Sequence, residues 1–366
     1  MLYKTHRDDL SKSLTDSISK AHNPMVFDFI LTAFVFAGFW IVIFRENLVP
    51  QNFSFDGNRI QALASESIAG SGDSSYETVA RIYNLFGLGT QPLLASILGY
   101  CAFVATVLAV RLRYRHLKPT ISAIYLYLVG ILLGAVYLGF YSKDLFVLPI
   151  VLVLLFSRFS RLGQASLFAL MVLYGLNFRS YWLVVLLVFL ALRMIRFTRR
   201  SLFLQVVIAM ATVAIISLGL SVVTGYEPDY FRQAANLYRE GSANATTAIH
   251  RFVEFQQPWG GVINNALTLV SLVFPVPLFL IGQPLYIAIG FGIAAMWLVF
   301  LRSMREPNLL LSKASNLSSL LLVSFLIVQA LFEPDYGSAL RHVTPFIAVL
   351  IALHLSGEEV VRAQDE

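Results

Sequence analysis

The sequence predicts an all-α fold: a polytopic membrane protein with about ten transmembrane helices in one membrane-embedded domain, 1–366. Hydrophobic residues make up 57% of the chain and charged residues only 13%, about half the charged fraction of an average soluble domain. The mean hydropathy is +0.72. Long apolar runs alternate with polar turns, as expected when about 20 residues are needed to cross the hydrocarbon core of a bilayer.

The distribution of Lys and Arg orients these runs, because cytoplasmic loops of membrane proteins carry an excess of both residues. The tails 1–24 and 357–366 are predicted to be cytoplasmic, and two larger polar segments, 45–90 and 225–262, are predicted to face outward. About two thirds of the 27 Lys and Arg residues then lie inside. The first apolar run is expected to be an anchor and not a removable signal peptide, because no small-residue cleavage site follows it.

The first three spans are bounded by changes of charge. The first, 25–44, follows the basic N-terminal tail. The second, 91–110, ends at the basic turn 111–118, which places that turn inside. The third, 120–141, emerges outside just before Lys143.

Three shorter apolar runs follow, 145–157, 164–178 and 180–194. Each is expected to extend into its flanking residues to cross the bilayer. Arg158 marks the inside turn after the first of them, and Arg179 occupies the outside turn between the other two. Because that outside turn is short, the Arg179 side chain is expected to stay near the bilayer surface.

The remaining spans are 201–224, 282–301, 315–332 and 342–356. The stretch 262–278 is compatible with a further span or with a re-entrant segment. A further span would move the basic turn after 301 to the outside, whereas a re-entrant segment broken at its two prolines keeps that turn inside. We therefore predict the re-entrant arrangement, which is tolerated where the segment is buried in protein.

Two observations exclude classes of function. Cys101 is the single cysteine, which rules out an intramolecular disulfide and a thiolate metal cluster. The sequence contains neither a Walker loop nor a GxGxxG fingerprint after a strand, which argues against nucleotide binding. The excess of 27 Lys and Arg over 21 Asp and Glu is explained by residues that flank the spans, so nucleic acid is not a predicted partner.

Cations on the outward side indicate a phosphate-bearing ligand, because guanidinium groups bind phosphate oxygens in pairs. The candidates are Lys143, Arg179, Arg232, Arg239, Arg251 and Arg341. Interfacial helices and snorkelling side chains give the same pattern without a ligand. Arg232 and Arg239 are seven residues apart and would share one helical face.

The polar hairpin 331–345 carries five candidate residues: Glu333, Asp335, Tyr336, Arg341 and His342. Its EPDY motif also occurs at 227–230, again after a span predicted to run outward. The motif either ends each helix or brings carboxylates from both copies into one cleft. His342 or His250 is the candidate base, with Glu333 or Asp335 as alternatives. His250 and Glu254 are four residues apart and could meet on one helical face.

The layout resembles the bacterial polysaccharide polymerases of the Wzy type, which join lipid-linked repeat units of O-antigen or capsule. The similar features are about ten spans and a large outward loop late in the chain. Local matches are YSKD before the fourth span, NFRSYW between the fifth and sixth, and GSALRHVTP at the final outward turn.

This resemblance implies a GT-C-like glycosyltransferase in the bacterial inner membrane, with its active site facing the periplasm. The donor and the acceptor would both be undecaprenyl-diphosphate-linked glycans, and a chain-length regulator protein would be a further partner beside the lipid bilayer. No cofactor and no metal are expected. Diphosphate is already a good leaving group, so the reaction needs cations for the developing charge and one base for the attacking hydroxyl. Direct displacement would invert the anomeric carbon.

Two other functions compete with this interpretation. An O-antigen ligase would share the donor and the fold but deliver finished polymer to the lipid A core. A lipid-linked oligosaccharide flippase belongs to a different class, and it would need polar groups through the membrane midplane, often in inverted repeats. The predicted spans carry few ionisable residues near their centres, which favours an enzyme.

Overall fold

A computed structural model describes residues 24–68, 70, 72–157, 160–239, 246–305 and 313–365. This part of the chain is helical and contains no named strand, so the all-α prediction is confirmed. The helices are α1 (Pro24–Ile43), α2 (Arg45–Leu48), α3 (Phe55–Ala64), α4 (Ser74–Leu85), α5 (Pro92–Arg113), α6 (Ile121–Tyr137), α7 (Leu148–Phe156), α8 (Arg161–Asn177), α9 (Tyr181–Met194), α10 (Leu202–Thr224), α11 (Tyr230–Tyr238), α12 (Trp259–Val273), α13 (Val276–Leu280), α14 (Pro284–Met304), α15 (Lys313–Phe332), α16 (Tyr336–Val343) and α17 (Ile347–Asp365). The predicted tail up to residue 23 and Arg158 lie outside the described residues.

Each of the ten predicted spans coincides with a helix. Within the described ranges, six helical stretches are long and apolar enough to cross a membrane: Met25–Ile43, Pro92–Arg113, Leu202–Thr224, Pro284–Met304, Ala314–Phe332 and Tyr336–Glu359. Four further apolar helices are shorter. The molecule is therefore compatible with a polytopic helical membrane protein.

The centre of the bundle is formed by α15 and α17. In the apolar window of α15, 89% of the residues are buried, whereas the figure for α10 is 11%. Helices α15 and α10 are both apolar around their whole circumference, a composition that suits either a protein core or a lipid environment. Because α9, α10 and α12 pack around α15, α15 is the core helix and α10 presents most of its apolar surface outward.

The segment 259–283 folds as a short helix followed by a turn. Helix α12 has 15 residues, so it rises only about 22 Å at 1.5 Å per residue. Pro275 and Pro277 follow, and α13 then packs against α14. Leu278 on α13 and Tyr286 on α14 line the same cavity as Arg239. The chain thus turns back after α12, and the re-entry of this segment into a membrane stays a prediction.

Helices α3 and α4 form a hairpin that covers the turn between α6 and α7. Ile60 and Val79 from this hairpin are buried with Tyr141 in a second, smaller apolar cluster. The Tyr141 hydroxyl donates to the carbonyl of Leu88 at 2.6 Å. Gly57 lies so close to Phe140 that an added Cβ would be 2.1 Å from its ring. This close approach brings the start of α3 against the end of the bundle.

Polar contacts collect at the two ends of the bundle. One end joins the α5–α6 turn to α17, through Tyr114 and Ser356 at 2.6 Å and through Thr120 and His354 at 3.1 Å. We call this the tail end, because α17 ends there. The opposite end contains the polar hairpin 331–345, and we call it the hairpin end.

Candidate functional site

A cavity of about 480 Å³ opens at the hairpin end. Its polar lining includes Asp56, Arg239, Asp335 and Arg341, and we call it the hairpin cleft. Its apolar and aromatic walls are formed by Phe53, Phe55, Tyr137, Tyr238, Leu278, Tyr286, Ile289, Tyr336 and Leu340. The cleft therefore combines charged groups with a large apolar surface.

Arg341 is held between two carboxylates from distant parts of the chain. Its Nη1 lies 2.8 Å from Oδ2 of Asp56, at the start of α3. Its Nε lies 3.4 Å from Oδ2 of Asp144, in the turn after α6. The side chain of Arg341 is 17% exposed, so the guanidinium is largely dry but still reaches the cleft. Burial acts to raise the pKa of Asp56, but Arg341, Arg179 and Lys143 lower it well below its usual range.

Lys143 and Asp144 are neighbours in sequence but contact different groups. The Lys143 Nζ lies 2.9 Å from the Ser75 hydroxyl and 3.3 Å from the centre of the Tyr76 ring, both on α4. Asp144 instead lies 3.4 Å from Nη2 of Arg179 and faces Arg341. Burial, together with the nearby charge of Arg179, lowers the pKa of Lys143 to about 7.

His342 and Glu333 form a buried pair behind Arg341. The distance from His342 Nδ1 to Glu333 Oε1 is 2.6 Å. His342 Nε2 lies 3.1 Å from Nη2 of Arg341, and neither His342 nor Glu333 lines the hairpin cleft. Among the described residues, Arg341 connects this pair to the cleft.

The protonation of Glu333 determines which ring nitrogen of His342 carries the proton, and therefore whether Nε2 can accept a hydrogen bond from Arg341. An ionised Glu333 accepts from Nδ1–H, which leaves Nε2 free to accept from the guanidinium. A protonated Glu333 donates to Nδ1, and the neutral imidazole then carries its proton on Nε2, facing Arg341. Burial raises the pKa of Glu333 to about 8, although Arg179 acts in the opposite direction.

Asp335 connects the second EPDY copy to the large loop. Its Oδ1 caps α16 by accepting from the Ser338 N–H at 2.7 Å, and its Oδ2 accepts from the Ser338 hydroxyl at 2.8 Å. Arg239, just after α11, forms an ion pair with the same carboxylate. The carbonyl of Pro334 accepts from the Ile249 N–H at 2.7 Å. These contacts hold two walls of the cleft together.

The charged residues of the first EPDY copy form ion pairs away from the hairpin cleft. Arg251 pairs with Glu227 and, at 2.8 Å, with Asp229. Arg232 is fully buried and donates to Asn265 at 3.0 Å and to the carbonyl of Ala330 at 2.9 Å. None of these four charged residues lines the hairpin cleft. Only the second copy contributes a carboxylate to the cleft.

The pairing proposed for His250 and Glu254 is wrong. The stretch 249–256 is not helical, and both side chains are exposed. Asn264 instead binds this stretch, because its Oδ1 accepts from the N–H groups of Phe252 at 2.8 Å and Val253 at 3.1 Å. Because this stretch is not helical, the spacing of four residues does not place the two side chains on one helical face.

The hairpin end brings most of the candidate residues together. Lys143, Arg179, Glu333, Arg341 and His342 belong to one charged cluster, and Arg239, Asp335 and Tyr336 line the adjoining cleft. The predicted shared face of Arg232 and Arg239 does not hold, because Arg232 points into the protein and Arg239 towards the cleft.

Asp56 was not predicted, because nothing local distinguishes it in the first outward loop. Asp144 and Tyr76 stand out in the sequence, as the neighbour of a candidate cation and as one of several outward aromatic residues, but neither was predicted to be a site residue. No protein-family model, curated protein or solved structure matches this chain.

Proposed function

We propose that this protein is a membrane glycosyltransferase that polymerises undecaprenyl-diphosphate-linked repeat units into O-antigen or capsular polysaccharide. It would act on the outer face of the bacterial inner membrane, without a metal and with inversion. The observation that supports this proposal best is the hairpin cleft, where Arg239 and Arg341 face a cavity of about 480 Å³ with apolar walls.

The walls of the cleft suit a substrate that is part lipid and part polyanion. Leu278 and Ile289 line it from α13 and α14. On the same two helices Leu280 is 80% exposed and Leu285 is 55% exposed, as expected for surface that faces lipid. A prenyl chain could therefore lie along α13 and α14 while its diphosphate reaches the guanidinium groups. The aromatic rings of Tyr238 and Tyr286 provide flat faces for sugar rings.

Diphosphate binding would replace the carboxylate partners of Arg341 with the phosphate oxygens of the donor. Arg341 is balanced by Asp56 and Asp144, but a diphosphate offers more charge and a bidentate acceptor. As Arg341 moves onto the diphosphate, Asp56 loses the strongest of the charges that hold its pKa down. Asp56 thus becomes a better proton acceptor when the donor is bound.

The reaction then needs few groups. The acceptor hydroxyl attacks the anomeric carbon, the bond to the diphosphate breaks, and Arg341 and Arg239 stabilise the negative charge that develops there. Asp56 accepts the hydroxyl proton, with Asp335 as the other carboxylate facing the cleft. We assign His342 the role of positioning Arg341, because it contacts the guanidinium from behind the cleft.

The product made in cells tests this proposal against its competitors. A deletion strain complemented with wild type should form long polymer, and a strain with an inactive variant should display single repeat units. Unattached long polymer in the deletion strain would indicate a ligase, and loss of all outward lipid-linked sugar would indicate a flippase. Arg341→Ala should abolish polymer, and Arg251→Ala is the matched control because Arg251 is engaged by the first EPDY copy. Normal polymer from Arg341→Ala at wild-type protein levels would refute the proposal.

A further inference from the structure

A second cavity lies near the tail end and is lined mainly by apolar side chains. Its volume is about 170 Å³, and it lies between α10, α12, α14 and α15. We call it the tail-end groove; Phe197, Leu202, Phe274 and Met304 are among its lining residues. The polar side chain in this lining is Gln205, whose amide donates to the carbonyls of Thr198 and Arg200.

The shortness of α12 explains why this groove exists. Helix α12 ends at Val273, and Pro275 turns the chain away. Among the described residues, α10 and α14 form the walls of the cavity below that point, and Val323 of α15 forms the floor. An unfilled apolar cavity is costly to a folded protein, whereas in a bilayer a hydrocarbon chain can occupy it.

Five exposed arginines lie within two residues of the lining of this groove in sequence. They lie beside its lining residues Phe197, Leu202 and Met304 in sequence. They are Arg196, Arg199, Arg200, Arg302 and Arg305. Among the described residues none of the five forms an ion pair with a carboxylate, whereas the hairpin-end cations Lys143, Arg179, Arg239 and Arg341 each lie near one.

We propose that the tail-end groove binds an anionic glycerophospholipid, with one acyl chain in the groove and the headgroup phosphate among these arginines. Basic clusters next to the inner leaflet attract anionic lipids, with each Lys or Arg near the surface contributing about a fivefold gain in affinity. The groove adds a fixed apolar contact, which distinguishes a specific site from general attraction to the membrane surface. This inference is independent of the proposed polymerase activity.

Lipid retention by the purified protein tests this site. Wild type in detergent is mixed with equal amounts of phosphatidylglycerol and phosphatidylcholine, and bound lipid is counted by native mass spectrometry. We expect phosphatidylglycerol to be retained preferentially. The double variant Arg199→Ala/Arg302→Ala should lose about 25-fold in affinity for it, at about fivefold per arginine. Ala209→Phe should also lose the bound lipid, because Ala209 lines the groove.

Two control variants separate this site from nonspecific effects. Arg115 is exposed at the same end of the bundle but away from the groove, and Ile215 is 71% exposed on α10 outside the groove. Arg115→Ala and Ile215→Phe should retain the lipid as wild type does, and monodisperse elution would show that each variant is folded. Equal retention of both lipids by wild type would overturn the proposal. Equal losses in the controls, or full retention by either groove variant, would also overturn it.

Discussion

The two EPDY copies have the same four residues but different surroundings. In the first copy Arg251 binds both carboxylates, and Asp229 is completely buried. In the second copy the carboxylates separate: Glu333 binds His342, and Asp335 caps α16 and faces the cleft. The neighbouring residues, and not the EPDY motif itself, therefore decide whether the carboxylates of the motif stabilise the fold or reach a cavity.

The tyrosines of the two copies differ in the same way. Tyr230 is 38% exposed and stacks on Tyr226, whereas Tyr336 is 2% exposed and lines the hairpin cleft. The residue three positions after each aspartate differs as well. Ser338 completes a helix cap with Asp335, but Arg232 donates hydrogen bonds to Asn265 and to the carbonyl of Ala330. We therefore expect substitutions in the first copy to reduce stability and those in the second to reduce activity.

Replacing the two aspartates should give the largest contrast. Asp229→Ala leaves Arg251 without its best-buried partner and should lower the free energy of unfolding by about 3 kcal/mol. Asp335→Ala removes a helix cap and should lower it by only about 1 kcal/mol, but polymerisation should fall strongly because a wall of the cleft is released. Thermal unfolding and polymer length, measured on the same preparations, check both expectations. The same loss of stability in both variants would remove the distinction between the copies.

Replacing the arginine partners should show the same pattern more weakly. Arg239 is 34% exposed in its side chain, and ion pairs at such positions contribute at most about 1 kcal/mol to stability. Arg239→Ala should therefore unfold close to the wild-type temperature but lose about tenfold in polymerisation rate, since it removes a charged hydrogen-bond donor to the diphosphate. Arg251→Ala should lower the unfolding temperature and leave the rate per folded molecule unchanged. A rate loss in Arg251→Ala that exceeds that in Arg239→Ala would contradict this assignment.

A further expected effect is a dependence of stability on pH. Burial raises the pKa of Glu333 from 4.5 to about 8, so the folded protein binds this proton more tightly than the unfolded chain does. The stabilisation is complete below pH 4.5 and is lost as the pH rises through about 8. Glu333→Gln cannot titrate at this position and should flatten the curve over that interval. Glu227→Gln is the matched control from the first copy, and a flattened curve in that variant would refute the explanation.

The positions of the helices were largely predictable, and many contacts of the candidate site were not. Apolar runs and basic turns depend on local composition, so the predicted spans coincide with helices. The pairing of Asp56 with Arg341 joins the first loop to the last hairpin, and no local pattern encodes such a contact. Adjacent residues also have different partners, since Lys143 faces Tyr76 while Asp144 faces Arg341. The spacing of His250 and Glu254 failed because Asn264 holds that stretch outside a helix.

Binding of undecaprenyl diphosphate to the purified protein in nanodiscs of zwitterionic lipid tests the central claim most directly. The cleft beside the second EPDY copy should bind this ligand through Arg341 and Arg239. Arg341→Ala and Arg239→Ala should each weaken binding by at least about tenfold, while Arg251→Ala should bind as wild type does. Equal affinity in wild type and Arg341→Ala, or an equal loss in Arg251→Ala, would contradict the account.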